Sequence, residues 1–405
     1  MTRRTVGGLR LGLALMIGGL LAAAAPQPAK ANFTSFVQSI WPDARRAGVS
    51  EQTFNQVFSG MTPDPDTVRL MNRQAEFTKP IWEYLDSAVS RSRIDTGQSM
   101  VRRYSSALDQ IEARYGVSRF VVVAVWGMET SYGGFMGNHN VIRALATLAY
   151  QAPRRQDFWR SELITALQIV QAGHISFREM EGSWAGAMGH TQFMPNSWKQ
   201  YSADYDGDGR HDIWTNIPDA LASTANYLRA HGWRTGETWG YEVVLPRGFD
   251  YALADETTER RISEWARYGI TRVSGRDFPR PNDTATLIVP AGAQGPAFLM
   301  LPNFSVIKRY NNSTSYALGV GHLADRIMGF GRFAATWPEN ERTLRRAEVE
   351  ELQQLLLRRG FDPNGVDGKI GPGTRGAIRQ YQSSIGVAAD GFATLSLLES
   401  LRRGS

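Results

Sequence analysis

Not one cysteine occurs in this 405-residue chain, so its fold must be held by a buried core and not by disulfides. That condition is demanding for a chain whose N-terminus looks like an export signal. Arg3 and Arg4 form a positive start, Leu11 to Ala25 form a short apolar stretch, and Ala29-Lys30-Ala31 offers a small-residue cleavage site before Asn32. This order reads as a cleavable secretory signal over residues 1–31, with an uncleaved membrane anchor as the alternative. No later segment offers ~18 uninterrupted apolar residues, so the mature chain is expected to have no membrane span. The length allows roughly two to three domains, enough to bury a sizeable core. The lack of cysteine also excludes a thiol nucleophile, a zinc–thiolate site and a lipid-modified N-terminal Cys.

A formal net charge of +6 favours polyanionic partners in general. No Lys/Arg-rich block or nucleic-acid module accompanies it, so nucleic acid is not an expected partner. The six histidines form no H-E-x-x-H pattern and no Gly-rich phosphate loop occurs, which argues against a zinc peptidase and a nucleotide enzyme.

Residues 32 to about 114 carry apolar residues at three- and four-residue intervals, as in Trp82-Glu83-Tyr84-Leu85, and read as helices. Helix continues from Ser118 to about Gly173 and returns over Ala220 to Ala230. From Tyr241 the texture changes to short β-branched and aromatic runs, with Tyr241 to Leu245 and Thr284 to Val289 as strands. The expected architecture is therefore mainly α, with a small β-containing subdomain inserted at about 241–300. Helix resumes from about Ser315 to Met328, and residues 334–342, which carry Trp337-Pro338-Glu339-Asn340, read as a linker. A small helical unit follows over 343–405 and is expected to be tethered to the rest.

Ser118 is a candidate N-cap for the strongly apolar run Phe120 to Met128, and Gly133-Gly134 stop that helix. Glu129 ends the run. A carboxyl group against apolar walls is desolvated when ionised, so its pKa rises and it can remain a proton donor near neutrality. A surface Glu at a helix end is the plainer reading of this residue alone.

The context around it decides otherwise. Trp126 to Gly133 resembles the E-[ST]-x-[YW]-G signature of lytic transglycosylases, specifically the type B lytic murein transglycosylases. The resemblance continues in order through Ala146 to Tyr150, Pro153 to Arg155, Gly182 to Trp198, Ala225 to Leu228, Leu301 to Phe304 and Arg309 to Asn312. It implies a lysozyme-like helical fold acting on peptidoglycan glycan strands in the periplasm. The bond would be the β-1,4 link between N-acetylmuramic acid and N-acetylglucosamine, with Glu129 as acid and then base. The product would be a 1,6-anhydromuramoyl end. No cofactor would be needed for catalysis. A hydrolytic muramidase and a non-catalytic peptidoglycan-binding scaffold are the rival readings.

The same resemblance implies substrate contacts for Ser183 and Gln192 beside the scissile bond, and for Tyr310, Asn311 and Tyr316 along the groove. It places Arg154 and Arg155 on the peptide-bearing side, where Arg suits carboxylate capture. Cell-wall synthesis or remodelling complexes would be its protein partners.

Asp204-Tyr-Asp-Gly-Asp-Gly-Arg-His-Asp212 carries the early positions of an EF-hand-like calcium loop. Asp204, Asp206 and Asp208 fall at alternating ligand positions, Gly209 at the turn, and the Arg210 carbonyl and Asp212 follow. Thr215 replaces the usual closing acid, and Asp219 is the candidate substitute because loops of the resembled family can close later. A calcium ion here would be structural.

In the last unit, Leu344 to Leu357 has helical spacing, Gly365 to Thr374 is a Gly/Asp/Pro-rich loop, and Thr374 to Gln382 reads as a second helix. Ala389-Asp390-Gly391 is expected to open a third. The loop matches G-x-D-G-x-[IF]-G-x-x-[ST], so the unit resembles a three-helix peptidoglycan-binding domain.

Overall fold

The computed structural model describes residues 32–72, 79–254 and 257–404. The expected secretory signal, residues 1–31, lies outside them. Six helices come first: α1 (Phe33–Arg46), α2 (Glu51–Phe58), α3 (Pro65–Met71), α4 (Ile81–Ala88), α5 (Arg91–Arg103) and α6 (Ser105–Tyr115). The next, α7 (Arg119–Thr130), packs against α5 and α6 and against helices from later in the chain, and every residue from Val121 to Gly127 in it is buried. A helix with no polar face is stable only when enclosed on all sides, and each buried Val or Trp adds roughly 1.5–3 kcal/mol to that enclosure. Ser118 does stand at the N-cap of α7, but its side chain makes no capping hydrogen bond. The helix stops at Ser131 and Tyr132, which have left-handed backbone, just ahead of Gly133-Gly134, and a two-residue ladder pairs β1 (His139–Asn140) with β2 (Glu181–Gly182).

Between those strands lie α8 (Val141–Gln151) and α9 (Gln156–Gln171), and beyond them α10 (Pro195–Tyr201) and α11 (Ile217–Ala230). The β subdomain follows: β3 (Gly240–Val244), β4 (Glu259–Arg261), α12 (Ile262–Arg267), β5 (Thr271–Arg272), β6 (Thr284–Ile288) and β7 (Ala297–Met300). Its five strands form an antiparallel sheet in the order β4-β6-β7-β3-β5. Because strand side chains alternate between faces, Leu287 and Leu299 join a local core with Trp265 of α12. Ile288, Phe298 and Met300 join the main helical core instead. The inserted sheet is thus clamped between two apolar clusters. Two helices, α13 (Pro302–Tyr310) and α14 (Thr314–Met328), return the chain to the centre, where α14 packs on α7. Gly319 eases that approach, since a Cβ there would come within 3.1 Å of Met128 Cε and 3.4 Å of Tyr84 Cε1.

The last unit has α15 (Arg346–Arg358), α16 (Pro372–Ser384) and α17 (Leu395–Arg403) around their own core of Leu352, Leu356, Ile378, Tyr381 and Leu398. Its third helix starts at Leu395, not at Ala389, because Asp390 is committed elsewhere. The Asp390 carboxylate accepts the Ala293 N–H at 2.7 Å, across from the β subdomain. Gly292 allows this contact with its φ of +67°, and a Cβ there would meet Asp390 Oδ2 at 2.4 Å.

The start of the segment joining the two units is docked on the catalytic unit. Phe333 stacks on His322 with ring centroids 3.8 Å apart, and Trp337 lies against Trp82 and Phe298. The Glu242 carboxylate accepts the N–H groups of Ala334 and Ala335, both at 2.8 Å. Two large aromatics in a short connection had an apolar surface to cover, and they cover it. Among the described residues, no helix is long and apolar enough to cross a membrane.

Candidate active site

Glu129 is the next-to-last residue of α7, half-buried where the enclosed helix ends, with Tyr316 of α14 and Tyr84 of α4 beside it. Loss of solvation pushes its carboxyl from the ordinary range up to about 7, and one hydrogen bond opposes that rise. The donor is the Tyr316 hydroxyl, 2.5 Å from Glu129 Oε1. Tyr316 is only 4% exposed. Burial and the facing Glu129 push its own hydroxyl well above the normal phenol range, so it stays a donor. Ser313 fixes it in turn, because its Oγ caps α14 by accepting the Tyr316 N–H.

Two further tyrosines complete the wall. Tyr310, at the end of α13, donates to the Thr191 carbonyl at 2.7 Å, and its hydroxyl is raised by burial and then by Glu129. Tyr84 of α4 also lies within electrostatic reach of Glu129, with its hydroxyl raised chiefly by burial. Tyr84 was not singled out in the sequence, where it looked like one more apolar position of a helix. No local signal marked it, because a half-buried core Tyr looks identical in sequence.

The loop opposite is set by buried polar contacts. Trp126 Nε1 donates to His190 Nδ1 at 3.0 Å, and burial keeps His190 below the usual histidine range, hence neutral and able to accept. Thr130 Oγ1 bridges the Trp126 and His190 carbonyls, and accepts the Gly133 N–H. Gln192 holds a left-handed φ of 50°, and its amide donates to the carbonyls of Met136 and Gly189 at 2.9 and 3.0 Å. That leaves its Oε1 to accept from a ligand. Ser183 Oγ accepts the N–H groups of Ala187 and Ala185, which leaves its hydroxyl proton to donate. Three of the five non-glycine residues with positive φ among the described residues, Ser131, Tyr132 and Gln192, flank Glu129. Such strain persists only where surrounding contacts over-determine it.

The other expected contacts sit less centrally. Asn311 is exposed at the C-terminal end of α13. Arg154 and Arg155 are exposed in the turn between α8 and α9, and the Arg155 guanidinium lies 4.0 Å from the Phe158 ring centre. Neither arginine has a recorded contact with Glu129 or its tyrosines.

The Asp-rich loop brings together Asp204, Asp206 and Asp219, each with a carboxylate oxygen within 4.8 Å of the others. Asp219 enters from the first turn of α11 and is fully buried, with its carboxyl raised by burial and by the charges of Asp206 and Asp204. Asp208 is not part of this group, and its Oδ1 accepts the Arg210 N–H at 2.7 Å. Asp212 is also occupied, accepting the N–H groups of Trp214 and Thr215 and the Thr215 hydroxyl. A trio of hard carboxylate oxygens, one buried, fits a divalent cation such as calcium.

A helical body thus presents one desolvated acid beside three tyrosines, with a second small helical domain following it. The comparisons give this arrangement its class. The transglycosylase SLT domain family matches residues 32–325, and a peptidoglycan binding domain family matches residues 345–401. The chain belongs to the lytic transglycosylase family defined by that SLT domain, whose members cleave peptidoglycan glycosidic bonds without hydrolysis. It is 33% identical over 311 residues to the membrane-bound lytic murein transglycosylase B of Escherichia coli K12, covering 73% of this chain and 83% of the relative. Among solved structures it is similar to SltB3 of Pseudomonas aeruginosa in complex with NAG-anhNAM-pentapeptide. There the TM-score is 0.87 at 47% identity, over 92% of this chain and 99% of SltB3. It also resembles the Escherichia coli lytic transglycosylase Slt35 in complex with calcium, with a TM-score of 0.63 at 30% identity over 74% and 93% of the two chains.

Proposed function

We propose that the lytic transglycosylase reaction of this chain is carried by Glu129 as both acid and base. The observation that supports this reading most directly is a carboxyl held near pKa 7 by burial, with Tyr316 as its hydrogen-bond donor. In the protonated state Glu129 gives its proton to the oxygen of the β-1,4 bond between N-acetylmuramic acid and N-acetylglucosamine. The bond to C1 then breaks and its electron pair leaves with that oxygen. The resulting carboxylate takes the proton of the muramoyl C6 hydroxyl, whose oxygen bonds to C1. Glu129 is protonated again, the 1,6-anhydro ring is closed, and no water is consumed. The internal hydroxyl supplies the proximity that a second carboxylate and a bound water provide in ordinary glycosidases. No second carboxylate perturbs Glu129.

Ser183 and Gln192 contribute one free donor and one free acceptor to the sugars beside the bond, and Tyr310 and Asn311 line the approach. Arg154 and Arg155 serve the peptide-bearing side from the rim. Asp204, Asp206 and Asp219 hold a structural calcium ion, with the Arg210 carbonyl as a further oxygen and Asp208 in reserve at the loop surface. Residues 1–31 direct export and are removed, and residues 343–405 hold the enzyme on the wall in the periplasm, where wall-synthesis or remodelling complexes are its partners. Mass spectrometry of purified sacculi tests the chemistry. The expected products are anhydromuropeptides, one water lighter than muramidase products, and their absence from a Glu129→Gln digest. Reducing N-acetylmuramic acid ends from the wild type would overturn the proposal in favour of hydrolysis.

A further inference from the structure

Two cavities of about 380 and 400 Å³ lie side by side along α13, and the mechanism above uses neither. They share Thr286, Met300, Ser305 and Arg309, and so form one groove. Its far end is bounded by His231 and Arg234, and its near end by Asn312. Asn312 directly precedes Ser313, the cap of the helix that brings Tyr316 to Glu129, so this end of the groove adjoins the element that carries the partner of the catalytic acid. One wall is the sheet face left over when Ala285 and Leu287 turn into the local core, which presents the hydroxyls of Thr284 and Thr286.

The charge in the groove is one-sided. Arg234, Lys308 and Arg309 line it against a single carboxylate, Glu259. Arg234 leans to Glu237 at 3.8 Å and Lys308 donates to the Thr314 hydroxyl. Arg309 has no ion pair among the described residues. Its backbone carbonyl accepts the Tyr227 hydroxyl at 2.6 Å, so the main chain is anchored while the guanidinium is available. A surface for sugar rings would present exposed aromatic faces, yet the rings here are His231 and the buried Phe304. Hydroxyls, arginines and this volume suit a short extended peptide that bears carboxylates.

We propose that the groove holds the peptide stem carried by a glycan strand, with Arg309 pairing a peptide carboxylate and the threonine hydroxyls bonding its backbone. The assignment rests on peptidoglycan being the substrate of the Glu129 site. The test compares soluble glycan strands that bear stem peptides with the same strands stripped of peptide by an amidase. For Arg309→Ala, kcat/KM on the peptide-bearing strands relative to the stripped strands falls roughly tenfold, the size of one charge-assisted hydrogen bond, and mainly through KM. Arg309→Lys restores part of that ratio. Thr286→Glu, on the opposite wall, lowers it by placing a like charge against the peptide. A ratio unchanged in both Arg309→Ala and Thr286→Glu, or equal losses on both substrates, would overturn the assignment. Failure of the underlying reading would look different, as absence of anhydro products from the wild type on either substrate.

Discussion

Glu129 and the Asp204–Asp219 loop place the same functional group in opposite surroundings. At Glu129 the carboxyl is desolvated at the end of an enclosed helix and meets one donor, so its proton is retained up to about pH 7. In the loop, Asp204 is held below the ordinary range: its partial desolvation is outweighed by N–H groups of Gly209, Gly207 and Asp208. The first arrangement stores a proton for transfer, and the second keeps negative charge available for a cation. Asp325 of α14 shows that a raised pKa alone is not a site. Burial also lifts it to about 7, yet its partner is Trp239 Nε1 and it lies in the joint with the β subdomain. What distinguishes Glu129 is the set of three tyrosines, Tyr316, Tyr310 and Tyr84, within its reach.

Removing the stored proton has the largest expected effect. Glu129→Gln should lower turnover of sacculi by at least about 10³-fold, because one residue serves both proton transfers. The same change should stabilise the fold at alkaline pH. A carboxyl whose folded pKa is raised loses stability as pH climbs from its unfolded value toward about 7, and the loss stays above that. The variant should therefore melt higher than the wild type at pH 8, and the difference should shrink at pH 4. Equal melting temperatures at pH 8 would mean that the pocket is wet.

Tyr316→Phe sharpens the comparison from the donor side. The hydroxyl lowers the Glu129 pKa, so its loss should raise that pKa and move the alkaline limb of the pH–rate profile to higher pH. Turnover should fall roughly 10- to 100-fold, as for loss of one charge-assisted hydrogen bond at a reacting group. An unshifted limb would show that Tyr316 acts only as a wall.

The loop predicts an effect on stability instead of chemistry. Calcium at about 100 times its Kd should add about 2.7 kcal/mol and raise the melting temperature. Asp206→Ala should erase that shift, whereas Asp208→Ala should keep most of it, since Asp208 lies outside the convergent trio. Turnover of short soluble fragments should change little in either. Smallest of all is Asp325→Asn, which should relieve a stability loss above about pH 7 while leaving the pH–rate profile where it was.

The sequence made the site legible where chemistry and spacing coincide. Glu129 was marked by the family signature at the end of an apolar run, Ser183 and Gln192 by their positions in the resembled family's motif, and Asp219 by the missing closing acid at Thr215. It was silent where a residue's use depends on a distant surface. Tyr84 comes within electrostatic reach of Glu129 only once α4 and α7 both pack on α14. Trp337 and Asp390 read as linker and helix start. Their roles in docking arise from Trp82, Phe298 and Ala293, which no local pattern connects to them.

Direct titration of Glu129 bears most closely on the claim that its surroundings, and not its residue type, set its role. The side-chain carboxyl carbons of glutamate, labelled with carbon-13, can be followed by NMR from pH 4 to pH 9, with the Glu129 signal assigned by its loss in Glu129→Gln. A midpoint near 7, moving upward in Tyr316→Phe, is the predicted result. A midpoint near the ordinary glutamate value of about 4.3 would contradict it, because a carboxylate already ionised at neutral pH has no proton to give the leaving oxygen.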